Sequence, residues 1–210
     1  MNRKLFKYPR TPHLPWSPGR SSDDVTMRDV GRFVGKEIVI TEKMDGENMT
    51  LYPDYLHARS VEVSYHPSRD WIKAMHASIA HLIPRGYRIC GENLYARHSI
   101  AYQNLPSYFF VFSIWNERNE CLSWRKTERM CSELGLVTPK VLFYGLWDEA
   151  LVREITVDEE VSEGFVVRTS GSFFYEDFST NMAKWVRSSH VTDEKHWSKA
   201  QMVLNKLSKQ

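Results

Sequence analysis

Short β-branched and aromatic runs, each cut off by turn residues, recur through this chain of 210 residues. Too few helical stretches lie between them for a strand–helix–strand alternation. Glu37–Lys43, Met49–Tyr52 and Leu56–Ser60 read as strands, with Asp45-Gly46-Glu47-Asn48 as turn chemistry between the first two. Together these three predict an antiparallel meander. Further strand signals fall at Tyr87–Cys90, Tyr108–Trp115, Cys121–Trp124, Val137–Tyr144, Glu163–Arg168 and Asn181–Arg187. Apolar residues at helical spacing predict helices over Asp70–Leu82, Arg125–Leu134 (closed by Gly135) and Asp193–Leu207. The expected fold is α+β on antiparallel sheet. Residues 8–20 hold four prolines in 13 positions, which forbids regular structure and predicts an extended arm. Tyr8 and Trp16 give that arm apolar surface to lay against the rest.

Charge is unevenly placed. Residues 1–36 carry +5, residues 180–210 carry +4, and the stretch between carries −7. Basic ends around an acidic middle fit either a positive face for a polyanion or ordinary solvated charge. The three cysteines, Cys90, Cys121 and Cys131, are far apart and form no CxxC pair. Buried thiols in a reducing cytoplasm are therefore expected, without disulfides or structural zinc. No apolar run is long enough to span a membrane, and no apolar stretch follows the charged N-terminus.

Lys43-Met44-Asp45-Gly46 closes a strand and opens a turn. Taken alone it fits a surface turn. A lysine at a strand end also fits a cleft nucleophile, if partial desolvation and neighbouring positive charge or a metal bring its pKa well below the free value of about 10.4. It is followed in order by Arg59 in a strand, Glu92 at the end of Ile89-Cys90-Gly91-Glu92, an aromatic strand from Tyr108 to Trp115, Glu163-Gly164-Phe165-Val166-Val167-Arg168, and Met182-Ala183-Lys184-Trp185-Val186-Arg187. Phosphoryl transfer needs positioning and charge neutralisation, and these are residue types that supply both.

In that order and spacing the chain resembles the covalent nucleotidyltransferase superfamily of ATP-dependent polynucleotide ligases and capping enzymes. The resemblance covers residues 41–187. It is nearest to ATP-dependent RNA ligases of the phage type, on Asn48 after the KxDG motif and on the His57-Ala58-Arg59-Ser60 and Gly91-Glu92-Asn93-Leu94-Tyr95-Ala96-Arg97-His98-Ser99-Ile100-Ala101-Tyr102 segments. It implies an antiparallel-sheet nucleotidyltransferase domain, ATP-grasp-like, with two sheets flanking a nucleotide cleft and no appended OB barrel. Residues 37–190 would form this adenylation domain, 1–36 the arm packed on it, and 191–210 a C-terminal helix of the same domain.

The resemblance also implies roles. Lys43 would attack ATP and carry AMP, with Asp45 orienting it or a metal-bound water. Glu42, Asn48, Arg59, Glu92, Phe112, Lys184 and Arg187 would bind the nucleotide, Phe112 rather than Phe110 stacking on adenine and Arg59 and Glu92 holding ribose. Glu163 and Asp45 would hold Mg2+ or Mn2+ through waters, and Lys184 would neutralise the α-phosphate. Strand alternation sets Lys184 and Arg187 on opposite faces, where the family carries Lys-x-Lys. Arg69, Arg97 and His98 are candidates for RNA contact, and Arg10 and His13 for the triphosphate. The implied activity joins RNA 5′-phosphate and 3′-hydroxyl ends in the cytoplasm, in RNA repair, beside a separate end-healing kinase or phosphatase and away from membranes. DNA nick sealing, GTP-dependent capping and an inactive nucleotide- or RNA-binding module are the competing readings.

Overall fold

A computed structural model describes residues 4–61, 65–188 and 202–209. Two antiparallel sheets face each other. The first has the order β10-β8-β1-β7, from β1 (Glu37–Glu42), β7 (Val141–Leu146), β8 (Gly164–Thr169) and β10 (Met182–Val186). The second has the order β3-β2-β4-β5-β6-β9, from β2 (Glu47–Tyr52), β3 (Tyr55–Ala58), β4 (Arg88–Asn93), β5 (Phe109–Trp115), β6 (Glu120–Cys121) and β9 (Phe173–Phe174). Helices α1 (Asp70–Ile79), α2 (Trp124–Glu133) and α3 (Glu149–Glu154) cover the outside, and the single turn α4 (Phe178–Asn181) leads into β10 and sends Phe178 between the sheets.

The expected meander is corrected at its first step. β2 and β3 form a hairpin, but β1 belongs to the other sheet. The segment Lys43–Gly46 is therefore a crossing between sheets rather than a hairpin turn. A turn signal records a change of direction and says nothing about which partner comes next.

Strand alternation sorts the side chains into layers. Ile38 and Ile40 of β1 join Phe165 and Val167 of β8, together with Leu14, Met27, Phe33 and Val152, on the outer side of the first sheet. Met49, Leu51, Ile89, Phe109, Val111 and Ile114 pack against Ile72 of α1 and Cys131 of α2 on the outer side of the second. Between the sheets lie Tyr8, Cys90, Trp115, Phe178 and Met182, with Phe112 and Val166 against them. Val39, Thr41 and then Lys43 follow the inner face of β1.

Other sequence expectations shift by local physics. Trp124 begins α2 instead of ending a strand, because Ser123 caps the helix, its side chain accepting the Lys126 N–H at 3.4 Å. The strand expected from Val137 begins at Val141. Residues 202–209 are extended, so the described part of the helix expected over 193–207 is corrected; residues 189–201 lie outside the described residues. There the chain bonds across to another segment: Leu204 bridges Ala96, Leu207 bridges Leu105, and buried Asn205 donates to Leu94 O at 2.7 Å and accepts from Tyr102 N at 3.0 Å. All three cysteines are free and buried.

Candidate active site

Lys43 emerges at the inner end of β1 with its backbone N–H donated to Gly164 O at 2.9 Å. Its ammonium pairs with the Glu163 carboxylate. The Lys43 side chain is 22% exposed and that of Glu163 5%, so the contact sits at the floor of an accessible cleft. Glu163 is delivered there by Gly164, whose φ of 150° is reserved for glycine. A Cβ at Gly164 would stand 2.0 Å from Trp185 O on the paired strand β10. The backbones of β8 and β10 meet at this point only because that atom is absent.

From the opposite sheet come Glu92 on β4 and Asn48 on β2, which are register partners. The Gly46 N–H donates to Glu92 Oε1 at 3.3 Å, tying the crossing segment to the second sheet. Asn48 Oδ1 is buried and has no hydrogen-bond partner among the described residues. An orphaned acceptor in a cleft is a position a ligand can satisfy. Lys184 pairs with Val166 across β10 and β8, with its side chain on the Val166 side. Phe112 and Val166 face one another's layer and are only partly buried, although their strand neighbours Val111, Ser113, Phe165 and Val167 are fully buried. Phe112 also packs edge-on against Tyr8 of the arm, ring centroids 5.0 Å apart. Phe110 is buried among Met44, Leu94, Ile100 and Tyr102 instead.

Electrostatics reverse one expectation. Burial disfavours the charged Lys43 amine, but Glu163, Glu92 and Asp45 together outweigh it, and its pKa lies above the ordinary lysine value. The lowered pKa expected of Lys43 is therefore corrected: without a ligand the amine is an ammonium. Glu92 is pushed up to about 8 by burial, with the attraction of Lys43 opposing and the repulsion of Glu163 and Asp45 adding to it. Lys184 is held below its ordinary value, first by burial and then by Lys43.

The remaining predicted residues divide. Asp45 lies at the site, but its Oδ2 accepts Ser99 N–H at 2.8 Å, Ser99 Oγ–H at 2.7 Å and Ile100 N–H at 2.8 Å. These bonds outweigh burial and hold the carboxyl below its usual range. Asp45 thus anchors the loop that carries Arg97 and His98; His98 lies near its carboxylate, and Arg97 is exposed. Glu42 stands on the outer face of β1, opposite Phe165 and near Ser162 and Lys140, away from Lys43. Arg59 reaches the arm, Nε donating to Tyr8 O at 3.4 Å. Arg187 lies beyond the end of β10, so strand alternation does not apply to it; its N–H donates to Glu163 O at 3.1 Å. Arg69 is buried and clamped to Glu47, Nε donating at 3.0 and 2.9 Å and Nη2 making a further contact, so its charge is engaged within the fold.

Among the described residues, no group of three or more His, Cys, Asp or Glu side chains is placed to hold a metal. The cleft carboxylates instead suit a hard cation that keeps much of its water and takes its other ligands from phosphate. Sequence reasoning did not find Tyr102, whose hydroxyl accepts the Asp45 N–H at 3.0 Å, or Asp24 beside His13. Tyr102 ends the Gly91–Tyr102 segment that carries the family resemblance but was given no role there, and Asp24 stands in no motif; tertiary packing brings both in.

Two facing antiparallel sheets with a lysine–carboxylate pair at the crossing between them are characteristic of nucleotidyl-transfer folds. The sequence matches the RNA ligase family over residues 36–186, and the chain belongs to that family. Its fold is similar to an archaeal ATP-dependent RNA ligase (TM-score 0.59, 15% identity, 87% of this chain and 48% of that one). It is also similar to Naegleria gruberi RNA ligase, both in a mutant form with AMP and Mn (0.55, 17%, 82% and 55%) and with PPi (0.55, 17%, 92% and 64%). The chain thus spans about half to two thirds of the length of these structures. No curated protein matches its sequence. Among the described residues no helix is long and apolar enough to cross a membrane.

Proposed function

We propose that this chain is an ATP-dependent RNA ligase that joins a 5′-phosphate to a 3′-hydroxyl through a lysyl-AMP intermediate on Lys43. The observation that carries the reading is the Lys43–Glu163 contact at the floor of a cleft where Glu92, Asn48, Phe112 and Lys184 converge from both sheets. ATP, AMP, PPi and Mn in the similar structures support it.

The adenine stacks on the partly exposed Phe112 face, where an aromatic ring binds a purine with little loss of entropy. Glu92, neutral near pH 7 because its pKa is about 8, can both donate to and accept from ribose hydroxyls. Asn48 turns its amide toward the phosphates. Lys184 meets the α-phosphate, where its charge offsets what builds up in the transition state.

Lys43 must lose a proton before it attacks, and a cation held at Glu163 would offset the carboxylate charge that keeps that proton in place. The freed amine then attacks the α-phosphorus in line. The N–P bond forms, the bond to the bridging oxygen breaks, pyrophosphate leaves with that electron pair, and the second amine proton is released. The AMP then passes to an RNA 5′-phosphate oxygen as the N–P bond breaks. Attack of the 3′-hydroxyl on the RNA phosphorus expels AMP and forms the phosphodiester. A divalent cation, bound when ATP is present, would supply further charge neutralisation near Glu163, held through water. The biological setting we infer is repair of broken RNA, with end-healing done by separate enzymes.

The test is incubation with α-labelled ATP and Mg2+ or Mn2+, followed by denaturing electrophoresis. An acid-labile labelled band is expected from the wild-type protein and none from Lys43→Ala. Equal labelling of the two would move the nucleophile elsewhere, and no labelling with any nucleotide or metal would overturn the reading.

A further inference from the structure

The proline-rich arm pairs with Lys184 directly. The Lys184 N–H donates to Pro12 O at 2.8 Å, and the Leu14 N–H donates to Lys184 O at 2.7 Å. His13 and Lys184 are thereby register partners in a parallel bridge, which sets their side chains on the same side. His13 is 1% exposed, and both ring nitrogens are engaged: Nδ1 meets Ser17 Oγ at 2.8 Å, and Nε2 meets Asp24 Oδ2 at 3.3 Å. A carboxylate only accepts, so Nε2 carries the proton and Nδ1 accepts the Ser17 hydroxyl. Ser17 Oγ in turn accepts the Val186 N–H at 2.9 Å. Asp24 is fixed from its other side by Ser21, whose N–H and Oγ–H reach Oδ2 at 3.0 and 2.9 Å.

This connectivity superficially matches a hydrolytic Ser-His-Asp triad. Ser17 is 1% exposed and bonded into the β10 backbone, so it attacks nothing. The chain runs instead from the backbone of β10, through Ser17 and His13, to a carboxylate held on the Lys184 side of the sheet edge. Asp24 is thus held between Ser21 and His13, with its side chain 29% exposed.

We propose that the arm is a working part of the nucleotide site, in which Asp24, aimed by His13 and Ser17, is a positioning residue that directs the Lys184 ammonium into the cleft. Lys184 stands among cations, Lys43 and Arg59, and the carboxylates near it are Glu163 and Asp24. Glu163 is in contact with Lys43, and Asp24 is the carboxylate that His13, the register partner of Lys184, brings to the same side. The inference rests on Lys184 being the α-phosphate contact of the proposed reaction.

Two readouts test it with Asp24→Asn, which keeps the shape and removes the charge, and with Asp24→Glu as the conservative rescue. The first needs no nucleotide. In protein labelled with 13Cε-lysine, the Lys184 signal, assigned by its loss in Lys184→Arg, moves toward the exposed-lysine envelope and sharpens in Asp24→Asn. The second is adduct formation against ATP concentration. Asp24→Asn raises the ATP needed for half-maximal rate by about two- to fivefold, the scale of one charge acting from beyond ion-pair distance in partly exposed surroundings, and Asp24→Glu restores part of it. A merely structural role would lower the active fraction and leave that concentration unchanged. An unmoved Lys184 signal overturns the proposal, as does a moved signal with unchanged ATP dependence. If the wild-type protein forms no adduct, the ligase reading fails, and the Lys184 signal alone decides whether Asp24 positions that side chain.

Discussion

Replacing Glu92 by Gln should stabilise the ligand-free protein, and the gain should depend on pH. Glu92 is pushed up from an ordinary 4.5 to about 8 in the folded chain. Between those values the folded state holds a proton that the unfolded state has released. Stability contributed by this group is therefore full below pH 4.5 and is lost as pH rises toward 8. Each pKa unit is worth about 1.4 kcal/mol, so the full span sets an upper limit of about 5 kcal/mol, and relaxation of the cleft brings the working figure to about 2–4 kcal/mol. Gln keeps the carbonyl that accepts the Gly46 N–H and does not titrate. Urea unfolding of both proteins at pH 5 and pH 9 reads the difference: nearly equal midpoints at pH 5, and at pH 9 a Glu92→Gln protein more stable by about 2–4 kcal/mol, or roughly 5–15 °C in Tm for a chain of this size. The same variant should keep much of its labelling with ATP near pH 7, because an amide, like the neutral carboxyl, both donates and accepts. Parallel stability curves across the pH range would refute the idea that burial and like charge strain this carboxyl.

Four further outcomes are expected. Gly164→Ala should cost about 2–4 kcal/mol and loosen the β8–β10 pairing, since its Cβ would meet Trp185 O at 2.0 Å; wild-type thermal stability would contradict this. Arg69→Ala should cost about 3 kcal/mol by stranding buried Glu47, and a paired Arg69→Leu, Glu47→Leu protein should recover part of it; a loss of RNA sealing at unchanged stability would show that Arg69 serves the substrate instead. Phe112→Ala should raise the ATP requirement for adduct formation about tenfold. Phe110→Ala, at a buried position, should mainly destabilise, by about 3–5 kcal/mol; the reverse pattern would exchange their roles. His13, pushed down from 6.5 to about 4 by burial and then by Lys184, stays neutral while the unfolded chain protonates. Its contribution is thus lost as pH falls from 6.5 toward 4, and His13→Gln should flatten that part of the acid limb in a Tm-against-pH series.

Most strands of both sheets were legible because alternation and turn residues are local signals. β1, β2, β4, β5, β8 and β10 fall within a few residues of their expected positions. The order of short motifs was equally legible, and the positions of Lys43, Glu92, Phe112 and Lys184 on the inner faces of the two sheets follow from strand periodicity once the sheets are known, whereas Glu163 is turned inward by Gly164 against the alternation of β8. α3 was missed: six residues capped by Asp148 carry too little periodicity to stand out from a polar stretch. The extended path of residues 202–209 was missed because its hydrogen-bond partners lie about a hundred residues earlier in the chain.

Residue order by itself determined which side chains bring chemistry, where the strands run, and that the chain is an antiparallel α+β protein, since propensity, alternation and turn chemistry act over a few neighbouring residues. Tertiary structure alone decided that Lys43–Gly46 crosses between sheets, that the Lys43 amine rests protonated, that Arg69 is tied to Glu47, and that the arm lies along Lys184. Each of these depends on the sum of charges and hydrogen bonds brought together from distant segments, and that sum exists only once the two sheets have closed on one another.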